Sequence, residues 1–380
     1  MKALAASKPA FILRLILLTA LLVGLCAKTS QAQEGGWQIE TIDTRRSEAP
    51  TLVIDTNGHP HIAYTANGKL YYARHNGESW QIQNVPATNA VIAIIALDTE
   101  QHPVIGYYTY QANSILYTRY DGAAWHTAQA ATNLSAIDTG SITFAVGPTN
   151  DLHFTYKLLD GKEINYLYQN GTQWQQNALF TLENSNRYIN LGLAVDSAGH
   201  PHVCFTDPYA TNLQYARYDG SIWHNETIVD RQVSSPKSCS IALDAQDHPH
   251  ISYADFGLNY IHFNGASWQD AKINDDFFAG VQSSIALKPS GQPVIVYRHA
   301  AGEQYETLFY AELSGNTWQT ESVTTLDDQK TPKSPDLAID SQGTPHIVYL
   351  AYGSDSPVLY AKGAAPSQHT LFLPTLIMVK

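Results

Sequence analysis

Cysteine is scarce in this chain, three in 380 residues, so a framework of disulfides cannot be what holds it together. Positive charge is also scarce. Lys and Arg number 22 against 34 Asp and Glu, a net charge of −12, and such a chain repels phosphate backbones and anionic headgroups. Nucleic acid and membrane insertion are therefore not expected. Past residue 32 no apolar stretch is long enough to cross a bilayer; Leu371–Val379 is short and broken by Pro374. No GxSxG, P-loop, dinucleotide fingerprint, HExxH or close Cys/His set occurs, so no cofactor and no metal is expected.

The first 32 residues have the form of an export signal. Lys2, Lys8 and Arg14 precede the apolar run Leu15–Ala27, and Ser30-Gln31-Ala32 supplies small residues for cleavage. Leu25 before Cys26 is too bulky for a lipoprotein signal. The expected mature chain is secreted and monomeric. Losing Lys2, Lys8, Arg14 and Lys28 would take its net charge from −12 to −16. Cys204 and Cys239 remain, and the sequence leaves open whether they pair. Residues 365–380 fall outside the pattern described next.

What the chain has in abundance is one repeated unit, clearest in Ser240–Trp268. Four runs of four to six residues rich in Ile, Val, Tyr and Phe are separated by Gly, Pro, Asn and Asp, which reads as four antiparallel strands, A to D. All seven tryptophans (Trp37, Trp80, Trp125, Trp174, Trp223, Trp268 and Trp318) take the same place at the start of strand D, 43 to 50 residues apart. Strand A carries alanine at Ala96, Ala145, Ala194, Ala242, Ala286 and Ala338, with Val53 the exception. Strand B ends on an aromatic such as Tyr64 or Phe205, and strand C carries Tyr72, Tyr117, Tyr166, Tyr215, Tyr260, Tyr310 and Tyr360. Units of this period predict a seven-bladed β-propeller over residues 33–364, all-β, with four strands per blade. Trp37–Ile42 has the sequence of a strand D but precedes the first strand A, and the last unit stops after its strand C. The N-terminal segment is therefore expected to complete blade seven.

The passage Leu193-Ala194-Val195-Asp196-Ser197-Ala198-Gly199 resembles the inner strand of NHL propellers, and the whole unit is similar to NHL and BNR (sialidase-like) blades. The resemblance implies architecture rather than activity, because propellers host lectins, hydrolases, lyases and scaffolds. The BNR Asp box, Ser-x-Asp-x-Gly-x-x-Trp, is not matched.

Five units carry a histidine opening strand B (His61, His153, His202, His250, His346), usually with an Asp ending strand A. Equivalent residues of separate blades lie round a ring, so these predict turn capping rather than a metal site. Chemistry is expected on the face formed by the irregular D–A and B–C loops. Tyrosines beyond the framework (Tyr108, Tyr110, Tyr188, Tyr209, Tyr305, Tyr352) and charged groups collect there. The ligand-binding candidates are Arg46, Arg187, Tyr188, Arg231, Asp276, Arg298, His299, Glu303, Tyr305 and Tyr352. Rings beside planar charged groups suit a glycan, with an extracellular protein as the other partner class. Blade six departs furthest, with Lys288 for the aspartate and Val294 for the histidine. A competing reading is a carbohydrate-active enzyme at the axial mouth of the same face, sialidase-like or a lyase using His299, Tyr305 and Arg298.

Overall fold

A computed structural model describes residues 32–34, 36–183, 189–207, 212–230, 238–300, 306–326 and 330–364. It is an all-β ring of seven four-stranded antiparallel blades, as the repeat requires. Blade one runs Ser47–Ile54, Pro60–Ala66, Lys69–His75 and Trp80–Thr88 as strands A to D. Blades two to six follow in the same order. Each strand A adjoins the strands A of its two neighbours, so these strands line the axis of a closed ring.

Closure is made as the orphan strand predicts. Strands A to C of blade seven are Thr331–Ile339, Pro345–Tyr352 and Val358–Lys362. Trp37–Asp43 pairs antiparallel with Val358–Lys362 as its strand D, through Gln38↔Lys362 and Glu40↔Tyr360. The sequence did not announce the fifth strand, Ala32–Glu34, which covers the outer edge through Glu34↔Trp37. It begins one residue inside the expected export signal.

The core sits between blades rather than within them. Among the described residues there is one buried cluster per interface, seven in all. A β-sheet with two apolar faces can bury both only by stacking on neighbours. The repeated tryptophan does this at every interface: each indole packs against the strand C tyrosine of the preceding blade, with ring centroids 5.0 to 5.8 Å apart. Trp37 on Tyr310, Trp80 on Tyr360 and Trp268 on Tyr215 show the pattern. Where the preceding blade has glutamate three residues after its own tryptophan, the indole also donates a hydrogen bond: Trp37 to Glu321 (3.0 Å), Trp80 to Glu40 (2.9 Å) and Trp268 to Glu226 (3.1 Å).

Nearer the axis, polar side chains two residues before the alanine position tie successive strands A together. Thr51 Oγ1 accepts from Ile95 N (3.0 Å), and Ser240 Oγ accepts from Ile285 N (3.2 Å). Across the closure, Asp336 of blade seven accepts from Leu52 N of blade one (2.8 Å) and from Ser284 Oγ of blade six (2.9 Å). Desolvation pushes the Asp336 carboxyl pKa up despite these donors. Cys204 in strand B of blade four and Cys239 in strand A of blade five are joined as a disulfide, with Cα atoms 6.3 Å apart. Gly192 makes room for it: a Cβ there would lie 2.8 Å from the Cys204 sulfur.

Candidate functional site

The A–B turns are built by one device. Asp55 Oδ1 accepts from Asn57 N (2.9 Å) and His59 N (2.8 Å), and Asp98, Asp196, Asp244 and Asp340 repeat the arrangement. The strand B histidines stand behind these turns. In each of the five blades the His Nδ1 lies 2.5 to 2.7 Å from the strand C tyrosine hydroxyl. The Nε2 faces the turn aspartate, as in His346 to Asp340 at 3.2 Å. This fixes a neutral tautomer that donates from Nε2 and accepts at Nδ1. Burial holds His61 and His250 down to about 4, and His153, His202 and His346 are lowered for the same reason. Among the described residues no cluster of His, Cys, Asp and Glu has the form of a metal site.

Blade six is an exception that restores itself. Lys288 stands where five other blades have the turn aspartate, and Glu312 stands where blades one, two and four have Arg74, Arg119 and Arg217. The two form an ion pair at 2.6 Å, so the charges have exchanged places. The Lys288 departure thus keeps a cross-strand ion pair of the framework with its charges reversed.

Of the candidates on the D–A and B–C loop face, Arg187, Tyr188, Arg231, Glu303 and Tyr305 lie outside the described residues. Of the others, Asp276 and His299 are brought together. Arg298 is held bidentate by Glu306 at 2.5 and 2.6 Å. His299 Nε2 is 3.1 Å from Asp276, and Tyr352 lies under Lys333 Nζ, 3.6 Å from its ring centroid. Arg46 is exposed at the entry to blade one. Tyr108, expected in a loop, is instead buried within Pro103–Thr109; its hydroxyl donates to Asn113 (2.9 Å) and accepts from Ile137 N (3.2 Å). Its neighbour Tyr110 is exposed.

Clefts open between blades, three of them at the end of the A–B and C–D turns. Between blades four and five a cleft of 410 Å³ is lined by Tyr215, Arg217 and Glu226 on one side and by Asp247, His248 and Trp268 on the other. Its counterparts measure 310 Å³ between blades three and four, with Tyr168, Asn177 and Trp223, and 350 Å³ between blades two and three, with Arg119 and His126. A fourth cleft, of 680 Å³, lies between blades one and two near the other face, lined by amides such as Asn84 and Asn89.

In the blade four–five cleft, Glu226 uses Oε1 to accept from Trp268 Nε1 and keeps Oε2 for another donor. Asp247 is spent on the neighbouring turn, accepting from Ser197 N (3.0 Å) and Ser197 Oγ (2.6 Å). The Tyr215 hydroxyl is turned inward to His202, and burial raises its pKa. An exposed guanidinium, a carboxylate and an indole therefore converge, while the buried His and Tyr are occupied with each other. Such a set can bind through hydrogen bonds and stacking, and it holds no activated nucleophile. Tyr215 and Trp268 read in the sequence as framework, which concealed that they meet across a blade interface.

Neither a family model nor a curated protein matches the chain, so the resemblance to NHL and BNR blades rests on the sequence alone. Solved structures match the fold. AofleA from Arthrobotrys oligospora is 15% identical with a TM-score of 0.52, covering 79% of this chain and 94% of its own. The Aleuria aurantia lectin in complex with Fucα1-6GlcNAc is 14% identical at 0.52, covering 76% of this chain and 98% of its own. Another structure of that lectin is described as a six-bladed β-propeller with a novel fucose recognition mode. A protein of unknown function from Dyadobacter fermentans is 11% identical at 0.52, covering 88% of this chain and 100% of its own.

Proposed function

We propose that the protein is a carbohydrate-binding propeller whose sugar sites are the clefts between blades. The observation that carries this reading is the cleft between blades four and five. Its 410 Å³ is the size of a small-ligand site, and it brings Trp268, Arg217 and Glu226 to one opening. A pyranose has an apolar face for the indole and vicinal hydroxyls that both donate and accept, so it can use the guanidinium and the carboxylate together. Partial copies in two further interfaces favour several weak sites over one strong one. The similar structures include lectins in complex with fucosides, which agrees with a glycan ligand.

Export to an oxidising compartment is part of this proposal. It is supported by the leader sequence and by the buried Cys204–Cys239 disulfide, a bond rare in reducing cytosol.

A glycan array with fucosylated, other neutral and acidic sugars is the test. Arg217→Ala and Glu226→Gln should each weaken the best hit by about 1–3 kcal/mol, roughly 5- to 150-fold. Neither should alter melting, since both side chains are exposed. Absence of any glycan binding, or binding indifferent to both changes, rejects the cleft reading. Release of a free or unsaturated sugar would favour the enzyme reading instead.

A further inference from the structure

We propose that the cleft between blades one and two is a second carbohydrate site, one that takes a sugar bearing a carboxylate. The inference rests on the carbohydrate reading above and departs from it in ligand chemistry. The cleft measures 680 Å³, within the range of small-ligand sites. Its lining holds one charged group, Lys69, and no carboxylate, whereas the cleft between blades four and five has Glu226 and Asp247 on its walls. Lys69 is exposed, and among the described residues no acid pairs with it. On a chain of net charge −12, this cavity therefore offers an anion a cation without a competing carboxylate.

A local insertion opens the cleft. In six blades strand D opposes strand C with one extra residue: Ile42, Ala130, Leu179, Ile228, Ile273 or Val323. In blade one the pairing steps from Leu70↔Val85 to Lys69↔Thr88, which leaves two, Pro86 and Ala87. A larger bulge bends the strand further from its ladder, and Pro86 has no N–H with which to resume pairing. Both residues line the cleft, beside Tyr107 and Leu116 of the core between the two blades. Thr127 Oγ1 of blade two donates to Pro86 O (3.3 Å) and ties the bulge across the interface.

Three amides share the cleft with Lys69: Asn67, Asn84 and Asn89. Asn84 Nδ2 donates to Leu70 O (3.2 Å) and Asn89 Nδ2 donates to Gln111 Oε1 (2.6 Å). These bonds hold both side chains and leave each an oxygen and a second N–H. Groups that donate and accept suit the vicinal hydroxyls of a sugar, the ammonium suits a carboxylate, and Pro86 with Leu116 suits the apolar face of the ring. A peptide bearing a terminal carboxylate would dock best along a strand edge, and the proline in the double bulge interrupts that edge. Repulsion from the rest of the chain is screened beyond about 8 Å, so at contact Lys69 decides.

Galacturonate and glucuronate oligosaccharides and their methyl esters, titrated into the full chain in a calorimeter, are the probes. The acids should bind, and the neutral esters should bind at least tenfold more weakly. Lys69→Gln should weaken the acids at least tenfold, while Lys69→Arg should keep most of the affinity. Asn84→Asp, which sets a carboxylate in the cleft, should act like Lys69→Gln. Both Lys69 variants should melt with the parent, because the side chain is exposed. Arg217→Ala should leave acid binding unchanged, and Lys69→Gln should leave neutral-sugar binding unchanged, so this site and the cleft between blades four and five can each fail alone. The proposal is overturned if no uronate binds, if the esters bind as well as the acids, or if Lys69→Gln has no effect. It is equally overturned if a peptide with a free C-terminus binds through Lys69 more tightly than the uronates do.

Discussion

Replacing Trp37 by alanine tests how the ring is closed. Its indole is 1% exposed, whereas the other six repeated tryptophans are only half-buried. It packs edge-on against Tyr310 at 5.3 Å and donates to Glu321 at 3.0 Å. Loss of a fully buried large aromatic costs about 3–5 kcal/mol, and the lost hydrogen bond adds about 1 kcal/mol. Trp318 is the matched control, packed on Tyr260 at 5.2 Å in the same edge-on manner. It is half-buried, and Ala271 stands where the acceptor glutamate would be. Trp318→Ala should therefore cost about half as much. Urea denaturation followed by far-ultraviolet circular dichroism measures both, and with native stabilities of about 5–15 kcal/mol the Trp37 variant should approach the edge of folding. Deleting residues 33–43 should go further and leave Val358–Lys362 as an open edge that aggregates. Equal losses in the two alanine variants, or an unchanged melting temperature after the deletion, would refute closure by this strand.

Acid should weaken the protein well above the carboxylate range. His61 and His250 are neutral in the fold down to about 4, while the unfolded chain protonates near pH 6.5, so stability falls as pH drops from about 6.5 to 4, by up to about 3 kcal/mol for each. A melting temperature that stays flat between pH 7 and 4.5 contradicts this, and His61→Gln with His250→Gln should reduce the slope. Below that window the depressed Asp55, Asp244 and Asp340 carboxylates add a further loss as they protonate. The Cys204–Cys239 bond closes a sequence separation of 35, which by chain entropy contributes about 3–4 kcal/mol; denaturation of Cys204→Ser/Cys239→Ser against the parent should show it.

The blades were legible because each repeats the same demand. Seven tryptophans, six axial alanines and the orphan strand at Trp37–Ile42 fix strand order and closure, since period-two patterning and glycine turns are local properties. The capping role of Asp55 and its equivalents was legible for the same reason. What stayed hidden involves two units at once. The Trp268–Glu226 bond and the Ser284–Asp336 bond each need a second residue in register, and nothing in one unit reveals its mate. The cleft residues Tyr215 and Trp268 belong to this class, so an eye drawn to irregular loops passes over them. Tyr108 shows the converse: an extra tyrosine at a loop border reads as surface yet fills the core, its hydroxyl satisfied by Asn113 and Ile137.

The pairing of Trp37–Asp43 with Val358–Lys362 also sets a clock. On a ribosome the strand made first must wait for the strand made last, because Gln38 finds Lys362 only when nearly the whole chain exists. Until then the most deeply buried indole of the seven has no blade to cover it. Loop closure over such a span is entropically slow, so the ring's final lock forms late. Opening must break that same lock together with the Asp336 contact to Leu52, which makes the closed ring slow to unfold as well as slow to form. Under the proposed export, where proteases are met and chaperones are not, that slowness counts for more than equilibrium stability.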